Sequence, residues 1–282
     1  VNGINIALYD YRRYYMLSIL KSALNANSRE MGIVSNNIAN VNSTAFKKSN
    51  TNFEHIYSRD RSSPQSKFSG QGVGVNDPLM QMTQGSLETT NGALDLAVAG
   101  LGFFPVVHEN ALETPFFTRD GSFNITAAGD VITNDGLKVM GYLGENNDVL
   151  RNLVIPTRKI NEDQTSSMLS NINVKSNGKI IATYGLDEEV VIGNFILASF
   201  PNENGLRQVG NNRYEINFKS GLPNFGIPMN GAFGKIESGN LERSNVDITS
   251  EMITMLKAQQ AFSGVSRLLQ TEVDITKRLI DG

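Results

Sequence analysis

Four aspartates, Asp95, Asp120, Asp130 and Asp135, lie close enough in sequence to suggest a carboxylate pair. Two carboxyls facing each other across a cleft would do general acid/base hydrolysis. Each one stands in a turn or beside glycine, and a chain without Trp offers no aromatic-lined groove for a sugar. These aspartates therefore read as turn residues. His55 and His108 are the two histidines, too few for a metal site or a histidine-based triad. The absence of Cys removes disulfides, thiolate zinc sites, iron–sulfur clusters and thiol catalysis together.

Weaker candidates fail on spacing. Gly70-Gln71-Gly72-Val73-Gly74 lacks the Lys-Ser/Thr of a phosphate loop and has no helix opening behind it, so it reads as a turn. Asp187-Glu188-Glu189 and Asn146-Asn147-Asp148 could hold calcium, but neither has EF-hand spacing, and solvated loop tips are the simpler reading. The expectation is no catalytic residue, no metal, no cofactor and no small-molecule substrate. A formal net charge of −3 provides no field toward nucleic acid or an anionic membrane. No stretch reaches the roughly 18 apolar residues of a spanning helix. Val1–Tyr15 lacks the ordered blocks of a cleaved signal peptide. What remains legible is architecture.

Both ends of the chain are helical. Apolar residues fall at Leu17, Leu20, Leu24, Met31, Val34, Ile38 and Val41, a 3,4 alternation interrupted only at Asn27. The other end repeats the pattern through Met252, Met255, Ala258, Phe262, Val265, Leu269, Val273, Thr276 and Ile280. Asp247 is placed to cap that helix, with Glu251 in its first turn. Helices of about 25 to 34 residues would span ~40 to 50 Å. Met31, Met252 and Met255 suit a seam that must adapt to slightly different contacts.

Between the ends the chain reads as β. Ala128-Gly129, Asn134-Asp135-Gly136 and Asn177-Gly178 each separate short runs of β-branched and aromatic residues. Later runs at Val190–Phe200 and Tyr214–Phe218 continue the pattern, and Leu96–Val107 reads as buried strands interrupted by glycine. The expected class is α+β, with N- and C-terminal helices pairing as a coiled-coil domain and a central antiparallel β domain. The corresponding boundaries are a leader foreign to the native protein at 1–15, the helical domain at 16–43 with 245–282, an extended connector at 44–91, and the β domain at 92–244. Two such helices carry more apolar surface than one antiparallel pair covers, and isolated helices of this kind are marginal in water. The surplus predicts packing against further copies, which, when it does not close, produces a helical polymer.

The segment Ser35-Asn36-Asn37-Ile38-Ala39-Asn40-Val41-Asn42-Ser43-Thr44-Ala45-Phe46-Lys47-Lys48 resembles the signature of bacterial flagellar rod and hook proteins. Thr83-Gln84-Gly85-Ser86-Leu87, Leu94-Asp95-Leu96-Ala97-Val98, Gly102-Phe103-Phe104, Phe117-Thr118-Arg119-Asp120-Gly121-Ser122-Phe123 and Gly239-Asn240-Leu241-Glu242-Arg243-Ser244-Asn245-Val246-Asp247 follow in the family's order. The resemblance implies terminal helices forming the inner tube of an axial structure, with the β domain on its outer wall. It also implies contacts with neighbouring rod and hook proteins, and export by the flagellar type III apparatus without a cleaved signal peptide. Asn36, Asn37, Asn40 and Phe46 carry over by position. The asparagines would end the helix and bond the following backbone, and Phe46 would anchor it. Ala45 stands where the family has Gly, which argues against a positive-φ turn there. Gly205 to Asn212 with Ala232-Phe233-Gly234 is nearer to hook proteins, whereas the length is nearer to the distal rod protein. A short hook protein lacking its outer domain fits both and is favoured over the distal rod protein; a proximal rod protein is the alternative within the family. Outside the family, a trimeric fibre or tail-type adhesin also joins coiled coil to β modules.

Overall fold

The computed structural model describes residues 2–59, 68–108, 111–144, 149–160, 166–185 and 188–281, and within them the side chains apart from those of 2–15, 58–59, 68–69, 111–113, 160, 166 and 279–281. The chain divides into two compact units. One comprises Val1–Val41, Lys48–Gln81 and Val246–Gly282, the other Asn42–Lys47 and Met82–Asn245.

In the first unit, helix α1 runs Asn2–Ala39 and helix α2 runs Ile248–Asp281, and the two pack alongside each other. The apolar alternation predicts a start near Leu17, but helical backbone begins upstream, because no proline interrupts that stretch. The suggested leader at 1–15 has its side chains outside the described residues. Ala26 and Val34 are the most buried apolar members of the described part of α1, while Asn27 is half-buried.

The stretch read as an extended connector differs in the structure. Strands β1 (Ser49–Arg59) and β2 (Phe68–Met80) form a long antiparallel hairpin, paired from Ser49 with Met80 to Arg59 with Phe68. Register shifts in the ladder accompany a mixed polar sequence with no clean alternation, which is why the pattern is hard to read as strand. The glycine run expected to be a turn lies in β2 itself. Gly72 has φ +110, and a Cβ there would lie 2.2 Å from Ser22 Oγ on α1. Glycine is thus what lets the strand approach the helix, and Ser22 Oγ accepts from the Val73 amide at 3.2 Å.

The second unit is antiparallel β, as the turn signals predict. Its main sheet follows the order 158–160, 166–174, 179–184, 188–195, 138–143, 104–108, 111–118, 213–215 and 207–210, with three further short strands attached off that path among the described residues. Asn177-Gly178 closes a hairpin in which Val174 pairs with Ile180, Asn134-Asp135-Gly136 one in which Ile132 pairs with Lys138, and Ala128-Gly129 one in which Ile125 pairs with Val131. Leu96, Val98, Phe104, Val106, Val139, Ile180, Phe195, Leu197 and Ile236 form the centre of its core. Phe104 meets Phe123 edge-on at 5.2 Å, and Phe123 stacks on Phe195 at 6.0 Å. The pairing of Lys235–Ser238 with Leu96–Ala99, and of Asn240–Glu242 with Leu87–Thr89, brings the end of this unit back to its beginning.

Candidate assembly face and strand clasp

An α-helix packed on one partner buries one stripe and leaves the flanks open. The structure divides the residues predicted for the seam accordingly. Val34 is buried; Leu17, Leu20, Leu24, Met31, Ile38, Met255, Val265 and Leu269 are half-buried. Met252, Phe262 and Val273 are exposed at 55%, 36% and 41% of their surface. Ile280 has its side chain outside the described residues. Ala258 and Glu251, both buried, mark the covered stripe of α2. Among the described residues of α2, sequence reasoning missed five further exposed large apolar residues, Ile248, Ile253, Leu256, Leu268 and Ile275. Ile248, Met252 and Leu256, each four apart, form one exposed row. The signal was present: Ile253, Leu256, Leu268 and Ile275 adjoin seam positions in sequence, making α2 apolar on more than one side.

Within the same unit, Asn37 is almost wholly buried and uses its entire amide. Its Nδ2 donates to Ser49 O at 2.9 Å and to Glu251 Oε2 at 3.0 Å, and its Oδ1 accepts from Ser49 N at 3.0 Å. One side chain thereby fixes the end of α1, the first residue of β1 and the first turn of α2. Lys48 Nζ lies 3.5 Å from the other Glu251 oxygen. Asn40 Nδ2 donates to Asn36 O at 3.0 Å, satisfying a carbonyl of the last turn, while Asn36 itself is exposed. Asp247 caps α2, its Oδ1 accepting from Thr249 N at 3.1 Å and its Oδ2 from Ser250 Oγ at 2.6 Å. The Ser250 and Thr249 hydrogen bonds hold this carboxyl below the usual aspartate value.

In the second unit, three segments distant in sequence are knitted together around a buried ion cluster. Ala45 N donates to Glu242 O at 2.8 Å, Asn245 N to Phe46 O at 3.3 Å, and Arg243 N to Ser86 O at 2.8 Å. Lys47 Nζ sits 2.6 Å from Glu242 Oε1 and donates to Thr83 O at 2.8 Å; Gly85 N also donates to that carboxylate oxygen at 2.8 Å. Arg119 NH1 lies 3.7 Å from Glu242 Oε2, and its guanidinium stands 5.0 Å over the Phe103 ring. Asn245 Nδ2 donates to Thr83 O at 3.0 Å. Lys47, Arg119 and Glu242 are fully or almost fully buried. Burial pulls the Lys47 ammonium below the usual lysine value, against the opposing pull of Glu242, and burial likewise pushes the Tyr214 phenol up. Phe46 is buried. Ala45, contrary to the sequence expectation, adopts φ +56. The buried hydrogen bond from its amide to Glu242 holds it there despite the Cβ penalty. Lys47, Arg119 and Glu242 escaped sequence reasoning although each stands in a quoted motif. Charges of opposite sign in separate motifs were the available clue.

The carboxylates considered for catalysis have structural partners instead. Asp95 accepts from Thr90 Oγ1 at 2.6 Å, Asp120 from Ser122 Oγ at 2.7 Å, and Asp130 lies 3.1 Å from Lys138 Nζ. Asp135 lies 3.9 Å from Arg213 Nε. His55 stacks on Tyr57 at 6.1 Å and His108 is exposed. Glu188 pairs with Lys159, Glu189 is exposed, and Asp187 and 146–148 lie outside the described residues. Among the described residues no group of three or more carboxylates and histidines could hold a metal.

Three family models match the chain: the one described as flagella basal body rod protein over residues 17–47, flagellar hook protein FlgE/F/G D1 domain over 97–182, and flagellar basal body rod FlgEFG protein C-terminal over 237–281. The flagellar basal-body rod protein FlgG of Buchnera aphidicola subsp. Acyrthosiphon pisum is 30% identical over 275 residues, covering 93% of this chain and 97% of that protein. FlgG of Borreliella burgdorferi is 29% identical over 261 residues, covering 89% and 91%. The flagellar hook protein FlgE of Helicobacter mustelae is 36% identical over 169 residues, covering 54% of this chain and 36% of that protein. The matches span both helices, the clasp segments and much of the β unit, and on that footing the chain belongs to the flagellar basal-body rod and hook protein family, a structural component of the flagellum and not an enzyme.

Proposed function

We propose that the chain is an axial subunit of the distal rod that polymerises with copies of itself into a helical tube and passes torque along it. The observation that carries the reading is the row Ile248, Met252 and Leu256 on α2, held open to solvent beside a stripe already covered within the chain. A monomer gains nothing from such a row, whereas a polymer covers it. Supercoiled packing of α1 and α2 with the helices of neighbouring copies is part of the same proposal, as are contacts with neighbouring rod and hook proteins and export by the flagellar type III apparatus. Coverage of FlgG relatives over nearly their whole length supports the rod assignment.

A short hook protein is the second reading, favoured by the 36% identity to a hook protein over 169 residues and by the Gly205–Asn212 and Ala232-Phe233-Gly234 motifs. Electron microscopy of a strain lacking the gene separates the two. A rod interrupted before its distal part supports the proposal; a complete rod without a hook replaces it with the second reading. Discrete trimers from purified protein would instead favour the fibre.

A further inference from the structure

Asn-Gly occurs five times, at 2–3, 91–92, 177–178, 204–205 and 230–231. In this dipeptide the glycine amide nitrogen, unshielded by a side chain, attacks the asparagine Cγ, closing a succinimide and expelling ammonia. Water then opens the ring to an aspartyl or isoaspartyl residue, adding a negative charge and about 1 Da. The five sites are equal in sequence. Ring closure requires the Asn–Gly peptide to turn until N and Cγ meet, so hydrogen bonding and crowding at the glycine decide which site reacts. The Asn2 side chain lies outside the described residues, which leaves four sites to compare.

Three of the four are held. Gly178 is buried, its N–H donates to Lys175 O at 2.8 Å, and Asn177 Oδ1 accepts from Lys179 N at 3.2 Å. Gly205 is buried, donates to Asn202 O at 3.1 Å, and lies so close to the Lys219 backbone that a Cβ would fall 2.5 Å from it. Around Asn91-Gly92, Asn91 N donates to Gly239 O at 3.3 Å, Asp95 N to Gly92 O at 3.2 Å, and Asp95 Oδ2 would stand 2.4 Å from a Gly92 Cβ.

Asn230 and Gly231 differ from the Asn177 and Asn204 sites in burial and hydrogen bonding at the glycine, and from all three in crowding. The Gly92 N–H, like that of Gly231, makes no hydrogen bond among the described residues, so at Asn91 the Asp95 carboxylate is what obstructs ring closure. Asn230 and Gly231 are both exposed, and nothing lies within 4 Å of a Cβ built on Gly231. The bonds that hold Asn230, from its N–H to Ile227 O at 3.2 Å and from Phe233 N–H to its carbonyl at 3.3 Å, do not involve the nitrogen that reacts. We propose that, of the four described Asn-Gly sites, Asn230 is the one that deamidates in the folded chain, selected from its chemically equal rivals by the open loop that carries it. A subunit built into a polymer and not replaced would accumulate this charge with age.

The test is peptide mass spectrometry of the folded full chain incubated at mildly alkaline pH, with a parallel sample in denaturant. The Asn230 peptide should gain about 1 Da, and become a substrate for isoaspartyl methylation, at least about tenfold faster than the Asn91, Asn177 and Asn204 peptides, the factor that 1.4 kcal/mol of local opening provides. In denaturant the four rates should converge. Asn230→Gln should abolish the fast step and leave the slow ones. Any of the other three peptides keeping pace with Asn230 in the folded chain, or an inert Asn230 beside a reactive denatured control, would overturn the assignment.

Discussion

Replacing Leu256 by Asp places a carboxylate in the exposed row of α2 without touching the covered stripe. Leu256 is 58% exposed in the single chain, so covering the remainder in a polymer is worth about 1 kcal/mol. Burying an unpaired carboxylate in the same contact adds a penalty of about 2–4 kcal/mol. The combined loss of about 3–5 kcal/mol raises the critical concentration for assembly by roughly 150-fold or more. The monomer should lose only about 0.5 kcal/mol, through helix propensity. Leu256→Lys, a better helix former that also carries a charge, separates the two effects. The assay is a sedimentation series over protein concentration, with denaturant unfolding of the monomer alongside. Because burial favours the protonated acid, the Asp variant should regain assembly as pH falls toward the carboxylate range, and the Lys variant should not. Polymerisation of Leu256→Asp at the wild-type concentration and neutral pH would refute the reasoning.

Glu242→Gln leaves Lys47 and Arg119 buried together without a counter-charge and should destabilise the β unit by about 3–5 kcal/mol, whereas Lys47→Met leaves Glu242 facing Arg119 and bonded to the Gly85 amide and should cost less, as read by chemical denaturation. Ala45→Gly relieves the positive φ while adding flexibility to the unfolded chain, and should change stability by about 1 kcal/mol or less in the favourable direction. Gly72→Ala sets a Cβ against Ser22 and should cost about 1–3 kcal/mol, seen as faster hydrogen exchange across the β1–β2 hairpin. Asp247 has a depressed carboxyl in the folded state, so its contribution is present above the usual aspartate range and is lost as pH falls through its folded value. Protection of the Thr249–Glu251 amides, measured against their intrinsic exchange rates at each pH, should therefore fall in acid, and Asp247→Ala should remove that dependence.

The helices and the hairpins of the β unit were legible because their signals are local. Asp247 and Glu251 mark the start of α2, and Asn177-Gly178 fixes a turn from two residues. The β1–β2 hairpin was not, since its strands are polar, irregular in register and rich in the glycines that allow close approach to α1. The buried cluster was hidden for a different reason. Lys47, Arg119 and Glu242 look like surface charges singly, and only the pairing of Asn240–Glu242 with Leu87–Thr89 brings Glu242 to the Thr83–Gly85 turn that holds Lys47. On α2 the heptad-like alternation picked out positions of both kinds, covered as at Ala258 and open as at Met252, Phe262 and Val273. It could not tell covered from open positions, a distinction set by how many partners a helix has rather than by its own period.

The chain contains no cysteine, so a single Leu256→Cys variant reports on this one position without background. Maleimide should label its thiol rapidly in dispersed monomer and many-fold more slowly once subunits have assembled, while Phe218→Cys, at a side chain fully exposed in the single chain, serves as the reference for reagent access. Equal labelling of the Leu256→Cys variant in monomer and polymer would show that the open row of α2 stays wet in the assembled state, and the account of what drives assembly would fall.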